Sequence, residues 1–217
     1  VIGSTGSYQL SFAVDGYPGV TATSGTFDVI RQQLFLSVTT QPGNTTAGEA
    51  VAGHPTVRLA NAIGQGHQGV EVTVQLNQHR FDSDPATRTV TTDASGYAEF
   101  DQLVINNAAE GYQLLFDADY SGVLNVSSES FDVVPAAADH LAAVTQPKNT
   151  ESGAAIKGPP AVAAYDAYGN PVSGVSVSVA ESGGYAFDGG TTTATTGGDG
   201  TAAFDDLVIS TTGEYSL

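Results

Sequence analysis

Residues 36–74 reappear at 141–179 with a constant offset of 105, so the unit this chain folds into is built more than once. Gln41, Pro42, Asn44, Thr45 and Gly48 return as Gln146, Pro147, Asn149, Thr150 and Gly153. Gly64, Gly69, Val70, Val72 and Val74 return as Gly169, Gly174, Val175, Val177 and Val179. A second block occurs three times: Val1-Ile2, Val104-Ile105 and Val208-Ile209, each followed by a glycine and then by Tyr8, Tyr112 or Tyr215. Its first two copies run on at an offset of 104, with Phe12, Asp15, Phe27, Asp28 and Val29 matching Phe116, Asp119, Phe131, Asp132 and Val133. A fixed period of this length marks an array of similar units, each with its own core. The phase makes residues 31–135 a complete repeat. Residues 1–30 are then the C-terminal strands of a preceding repeat, and 136–217 a truncated repeat lacking its last strands, with a short link at Pro135-Ala136-Ala137-Ala138. With Val1 first and no methionine, the stretch reads as cut from a longer chain.

Inside the complete repeat the apolar pattern has a period of two. Val70, Val72 and Val74 alternate with Glu71, Thr73 and Gln75, and Tyr112, Leu114 and Phe116 with Gln113 and Asp117, which puts one face inward and one in water. Strands are predicted at 34–40, 55–62, 69–76, 86–92, 97–106, 111–119 and 123–134, separated by Gly, Asn, Asp and Pro clusters. Seven short strands in about 100 residues, with a turn signal every 8–12, are the pattern of an immunoglobulin-like sandwich. The expected fold class is therefore all-β: tandem immunoglobulin-like Greek-key β-sandwiches. Tyr112 follows Gly111 at the start of the sixth strand, where a tyrosine corner sits, with its ring in the core and its hydroxyl bonded to backbone. Its recurrence as Tyr8 and Tyr215 points to a structural role for all three.

The motif Asp166-Ala-Tyr168-Gly-Asn170-Pro171, running on through Gly174 to Val179, resembles the second strand, turn and third strand of bacterial immunoglobulin-like repeats in invasin and intimin-type adhesins. The stretches Thr92 to Phe100 and Gly198 to Phe204 are similar to the turn and fifth strand of those repeats. The Thr-Gln-Pro-x-Asn-Thr opening, present twice, is similar to repeats of very large bacterial surface proteins. The resemblance covers essentially the whole chain and departs from the pattern at 61–68, where the Asn-Pro turn is lost. It implies an extracellular or cell-surface location and a spacer or adhesive role in a bacterial adhesin or filament, in which neighbouring copies join head to tail. The alternative is a carbohydrate- or protein-binding immunoglobulin-like module of a surface protein or secreted hydrolase, and the ligand, if there is one, is unknown.

The chemistry of the side chains points the same way. With no cysteine there is no disulfide framework, thiolate metal site or cysteine nucleophile. The net charge of −17, shared as −2, −8 and −7 over the three segments, repels phosphates and anionic lipid, so neither nucleic acid nor a membrane surface is an expected partner. No apolar run is long enough to insert in a membrane. The four histidines, His54, His67, His79 and His140, fall in turn or linker positions and are not spaced as metal pairs. No catalytic residues, no cofactor-binding residues and no enzyme activity are expected. Carboxylates cluster at Asp82 with Asp84, Asp205 with Asp206, and Asp117 with Asp119. Calcium is the candidate metal, with Asp132 and Asp139 as its candidate ligands where two repeats meet, because hard cations take carboxylate oxygens. Tyr17, Tyr97, Tyr120, Tyr165, Tyr168 and Tyr185 are candidates for a carbohydrate platform, although without tryptophan. Asn44-Thr-Thr46 and Asn125-Val-Ser127 match the N-glycosylation acceptor pattern.

An incomplete sandwich exposes unpaired strand edges. Residues 1–30 supply the hairpin that 136–217 lack, so strand exchange between copies is one expectation. The overlap of residues 1–10 with 208–217 favours the other, a window on a continuous polymer.

Overall fold

The computed structural model describes residues 5–82 and 88–217; Val1-Ile2, Asp84 and the start of the strand expected from residue 86 lie outside the described residues. All the elements among the described residues are β-strands. In residues 31–135 they form two main sheets with a third beside them. One sheet has the order β10-β7-β5, made of β5 (Leu34–Thr40), β7 (Thr56–Asn61) and β10 (Tyr97–Glu99), all antiparallel. The other is built on β8 (Glu71–Leu76), which pairs with β9 (Thr89–Thr91) on one side and β12 (Leu114–Ala118) on the other. β12 in turn pairs with β13 (Val126–Ser127). Beyond them, β11 (Ala109–Tyr112) pairs with β14 (Phe131–Val134), and β14 runs parallel to the two-residue β6 (Thr45–Thr46). The chain passes back and forth between the sheets, which is the Greek-key connectivity of an immunoglobulin-like sandwich. Side chains from both inner faces close on one core that includes Val57, Leu59, Val72, Phe100, Leu103, Ile105, Tyr112, Leu114, Phe116 and Phe131.

Three of the expected strands differ in extent. The run 97–106 is strand only to Glu99, because the backbone then leaves its sheet. Val51 N–H donates to Leu103 O at 2.8 Å and Asp82 N–H to Val104 O at 2.8 Å, so this stretch crosses the end of the sandwich while Leu103 and Ile105 plug the core. The runs 111–119 and 123–134 are each broken in two. At the break, the Ser128 hydroxyl accepts from Leu114 N–H at 2.9 Å and donates to Glu129 O at 2.7 Å, so a side chain stands in for a ladder partner and the strand shifts register. β6 was not expected from the sequence, because two residues carry no periodicity to detect.

The flanking segments repeat this plan. Residues 138–203 hold β15 (Ala138–Thr145), β16 (Ala161–Asp166) and β19 (Thr201–Ala203) in one sheet, and β17 (Ser176–Ser178) with β18 (Thr193–Thr195) in another. The register is copied: Val162 faces Ala202 as Val57 faces Ala98, and Val177 faces Ala194 as Val72 faces Val90. Val177, Ala202, Phe204 and Leu207 form a separate, smaller core. Residues 5–30 form a hairpin of β1 (Gly6–Tyr8), β2 (Ser11–Ala13), β3 (Thr21–Thr23) and β4 (Phe27–Val29), in which β1 pairs with β4 and β2 with β3. Its break is the same one: Ser24 Oγ accepts from Leu10 N–H at 2.9 Å and donates to Gly25 O at 2.7 Å.

Candidate functional site

The groups that catalysis would need are dispersed. Each histidine has its own neighbour: His54 lies 3.4 Å from Glu99, His79 bonds Asn107 at 3.2 Å, His67 sits edge-on to Tyr120 and His140 stacks on Tyr165. Asp132 Oδ1 accepts from Gly111 N–H at 3.0 Å, which ties β14 to the end of β11, and in the hairpin Ser7 donates to Asp28 in the matching place. Asp139 faces His140 at 3.1 Å. The two calcium candidates are thus held by different partners, and among the described residues no three His, Cys, Asp or Glu groups gather as a metal site.

The tyrosines divide by role. Tyr112 is fully buried, and its hydroxyl donates to Asn107 O at 2.8 Å. Burial, with the charge of Asp82 behind it, pushes its phenol pKa up. Tyr215 reaches back in the same manner to Thr211 O at 3.0 Å, and Tyr8 packs near Phe27. None of the six platform candidates makes a ring contact with another of the six among the described residues. Tyr97 lies under Arg58, Tyr120 meets His67, Tyr165 stacks on His140 and Tyr185 meets Tyr215. Asn44 spends its amide oxygen on Asp132 N–H at 2.8 Å.

The densest set of buried polar contacts lies elsewhere, where the repeat at 31–135 meets the one that follows. At the end of β16 the chain makes a tight turn from Asp166 to Asn170. Asp166 Oδ1 accepts from Tyr168 N–H at 2.9 Å and Asn170 N–H at 2.8 Å, an Asx-type turn that fixes the loop on itself. Its other oxygen, Oδ2, accepts from the Asn170 amide at 2.8 Å and from Ala136 N–H in the link at 2.9 Å. Asn170 then bridges the repeats: its amide donates to Asn106 O at 2.7 Å, and its own oxygen accepts from Ala108 N–H at 2.9 Å. Both residues are buried, at 0% and 7% exposure; the bonds between Asp166 and Asn170 are buried, and those that cross to Ala136, Asn106 and Ala108 are part-buried. Burial pulls the Asp166 pKa upward, but the four N–H donors from Asn170, Ala136 and Tyr168 outweigh it, and the carboxyl is held below its ordinary value. Beside them Tyr168 sits on Gly48: a Cβ added there would lie 1.9 Å from its hydroxyl oxygen.

The chain has structural likenesses at low identity. It is similar to FdeC, an Escherichia coli adhesin, with 15% identity over 97% of this chain and 68% of that one and a TM-score of 0.45. It is also similar to invasin, a bacterial integrin-binding protein, with 20% identity over 83% of this chain and a TM-score of 0.36, and it spans 34% of the invasin chain. The extracellular domains 3–5 of Drosophila OTK give 18% identity over 80% of this chain and 56% of that one, with a TM-score of 0.31. No protein-family model and no curated protein sequence matches the chain. At these identities and scores the fold rests on the strand pairing itself.

Sequence reasoning placed Asp166 to Asn170 in a turn between strands and stopped there. The signal for more was an asymmetry between repeats: positions 61, 63 and 65 are Asn, Ile and Gln, where 166, 168 and 170 are Asp, Tyr and Asn.

Proposed function

We propose that this chain is a structural repeat module of a bacterial extracellular adhesin or filament, a spacer that sets reach and stiffness and acts without catalysis. The observation that carries the reading is the joint: the Asp166 and Asn170 side chains spend their hydrogen bonds on the link at Ala136 and on Asn106 and Ala108 of the preceding repeat. Polar groups buried between two sandwiches and paired across them hold those sandwiches in one orientation, as a spacer requires. An acidic, cysteine-free surface suits a protein that works outside the cell in an array of its own kind. Among the described residues no helix is long and apolar enough to cross a membrane. Small-angle scattering on the whole chain tests this. An elongated particle of fixed maximum dimension at low and high salt is expected, and a distribution of bent shapes would overturn it.

A second reading, strand exchange between copies, is favoured by one pair of surfaces. In the hairpin Phe12 is 55% exposed, whereas its counterpart Phe116 is fully buried. In 136–217 a groove of about 900 Å³ is lined by Asn149–Glu151 and Gly213–Leu217, which match β6 and β11, the strands that flank β14 in the central repeat. Phe27-Asp28-Val29 has the sequence of Phe131-Asp132-Val133, which fills that place in the central repeat. The groove in one copy and the hairpin of another are therefore matched in chemistry. Light scattering after size exclusion reads the outcome: a mass that climbs with concentration supports exchange, and a monomer at all concentrations rejects it.

A further inference from the structure

A cleft of about 810 Å³ opens at the joint, and both repeats line it. The 31–135 repeat supplies His79, Arg80, Asp82 and Asn107, and the following repeat supplies Tyr168 and Pro171. The bonds from Asn170 to Asn106 and Ala108 hold the two walls together. His79 stands in this wall at a cost to the backbone: its φ is 55°, in the left-handed region that an L side chain disfavours. Its ring packs on Tyr112 with 5.7 Å between centroids, and its Nδ1 lies 3.2 Å from the Asn107 amide nitrogen. An amide N–H can only donate, so Nδ1 accepts, and the neutral ring carries its proton on Nε2 as a donor. Arg80 adds a guanidinium, one of six Lys and Arg side chains in a chain with 23 acids. Asp82 adds a carboxylate, steadied by Asn106 N–H on Oδ2 at 2.8 Å. Tyr168 rests its hydroxyl end on Gly48 and is still 47% exposed, so part of its ring meets solvent.

We propose that this cleft binds a saccharide carrying a single carboxylate, which makes the joint a ligand site as well as a structural contact. A guanidinium matches a carboxylate with two parallel N–H bonds, and that is the role of Arg80. The hydroxyls of a sugar ring both donate and accept, as the mixed wall of His79, Asn107 and Asp82 requires. The apolar face of the sugar ring lies on Tyr168. The volume falls in the range of about 300–1,000 Å³ for small-molecule sites, which suits an oligosaccharide of a few rings and not a folded partner. The net charge of −17 limits the charge on the ligand. A peptide or polymer with an acid on every unit is repelled by the whole surface, whereas one carboxylate seated on Arg80 gains its contact well inside the screening length of about 8 Å. Because both repeats line the cleft, a bound sugar stabilises their docked arrangement, and docking in turn completes the site.

Nuclear magnetic resonance on the whole chain, titrated with 3′-sialyllactose and with cellobiouronic acid, tests the proposal. Each probe carries one carboxylate, on a sialic acid in the first and on a uronic acid in the second, and lactose and cellobiose are their neutral counterparts. Saturable shifts of the Asn106, Asn107 and Tyr168 amides are expected with at least one acidic probe, at a dissociation constant of about 1 mM or tighter. The tighter of the two identifies the sugar acid. Its neutral counterpart should bind about tenfold more weakly. Arg80→Gln, at an exposed position, and His79→Gly, which suits a positive φ, should each weaken binding about tenfold while far-ultraviolet dichroism stays that of the parent. Arg80→Lys keeps the charge without the paired N–H groups and should weaken binding by a smaller factor. Silence of these amides toward both acidic probes, equal affinity for acidic and neutral sugars, or unchanged affinity in either folded variant would overturn the site. Tetraglutamate binding more tightly than either sugar would overturn the saccharide class. The spacer reading stands or falls separately, on the scattering.

Discussion

Asp166 shows how one side chain can be committed entirely to geometry. Both oxygens accept N–H groups, and its burial would raise its pKa were those donors absent. Since the folded pKa is depressed, the carboxylate contributes stability that is present above the unfolded value of about 3.9 and is lost as pH falls through the lower folded value. The stability difference between the parent and Asp166→Asn should therefore hold from neutral pH to about pH 5 and shrink only once the acid is protonated, below about pH 4. Asp166→Asn should lower the stability of the 136–217 repeat by about 1.5–3 kcal/mol, the range for a hydrogen bond to a charged group, measured by denaturant unfolding. Tyr112 makes the comparable commitment inside the core. Tyr112→Phe leaves Asn107 O without its donor, and the 31–135 repeat should lose about 1–3 kcal/mol with an unchanged denaturant slope.

At the scale of the element, the recurrent break between β13 and β14 is a designed feature. Ser128 and Ser24 occupy the same position one period apart, and each hydroxyl replaces a backbone acceptor for a leucine N–H. The surroundings differ, and that difference sets the cost. Ser128→Ala strands a buried Leu114 N–H and should cost about 1–3 kcal/mol. Ser24→Ala, where the bond to Leu10 lies near solvent, should cost under about 0.5 kcal/mol. Thermal unfolding of the two single variants decides this, and equal losses would contradict the account. The same reasoning applies to Thr92 and Thr196. Each hydroxyl accepts from a valine N–H, Val70 or Val175, at 3.0 or 2.9 Å, and donates to a carbonyl across the loop, His67 or Val172, at 2.8 Å. Side-chain oxygens of Ser24, Thr92, Ser128 and Thr196 thus close the ladder at four fixed points.

For the molecule as a whole, the joint is closed by hydrogen bonds from N–H groups. The donors around Asp166 are all N–H groups, and Asp132 and Asp139 are engaged apart from each other, by Gly111 and His140. The midpoint of thermal unfolding should be the same in millimolar calcium and in a chelator. A rise with calcium would show that carboxylates gather in solution in a way the structure does not display.

The order of residues determined the repeat, the alternation that makes strands, the all-β class and the turn positions, because each of these is a local property of neighbours in the chain. Tyr112 was legible for the same reason: a glycine, a tyrosine and the strand that follows them are adjacent in sequence. Only the tertiary structure decided the breaks at Ser128, the parallel pairing of β6 and the joint at Asp166 and Asn170. Those depend on which distant backbone groups are left without partners once the sheets have packed. The carbonyl that Asn170 finds lies 64 residues away, and nothing in the spacing of a five-residue turn says that it is there.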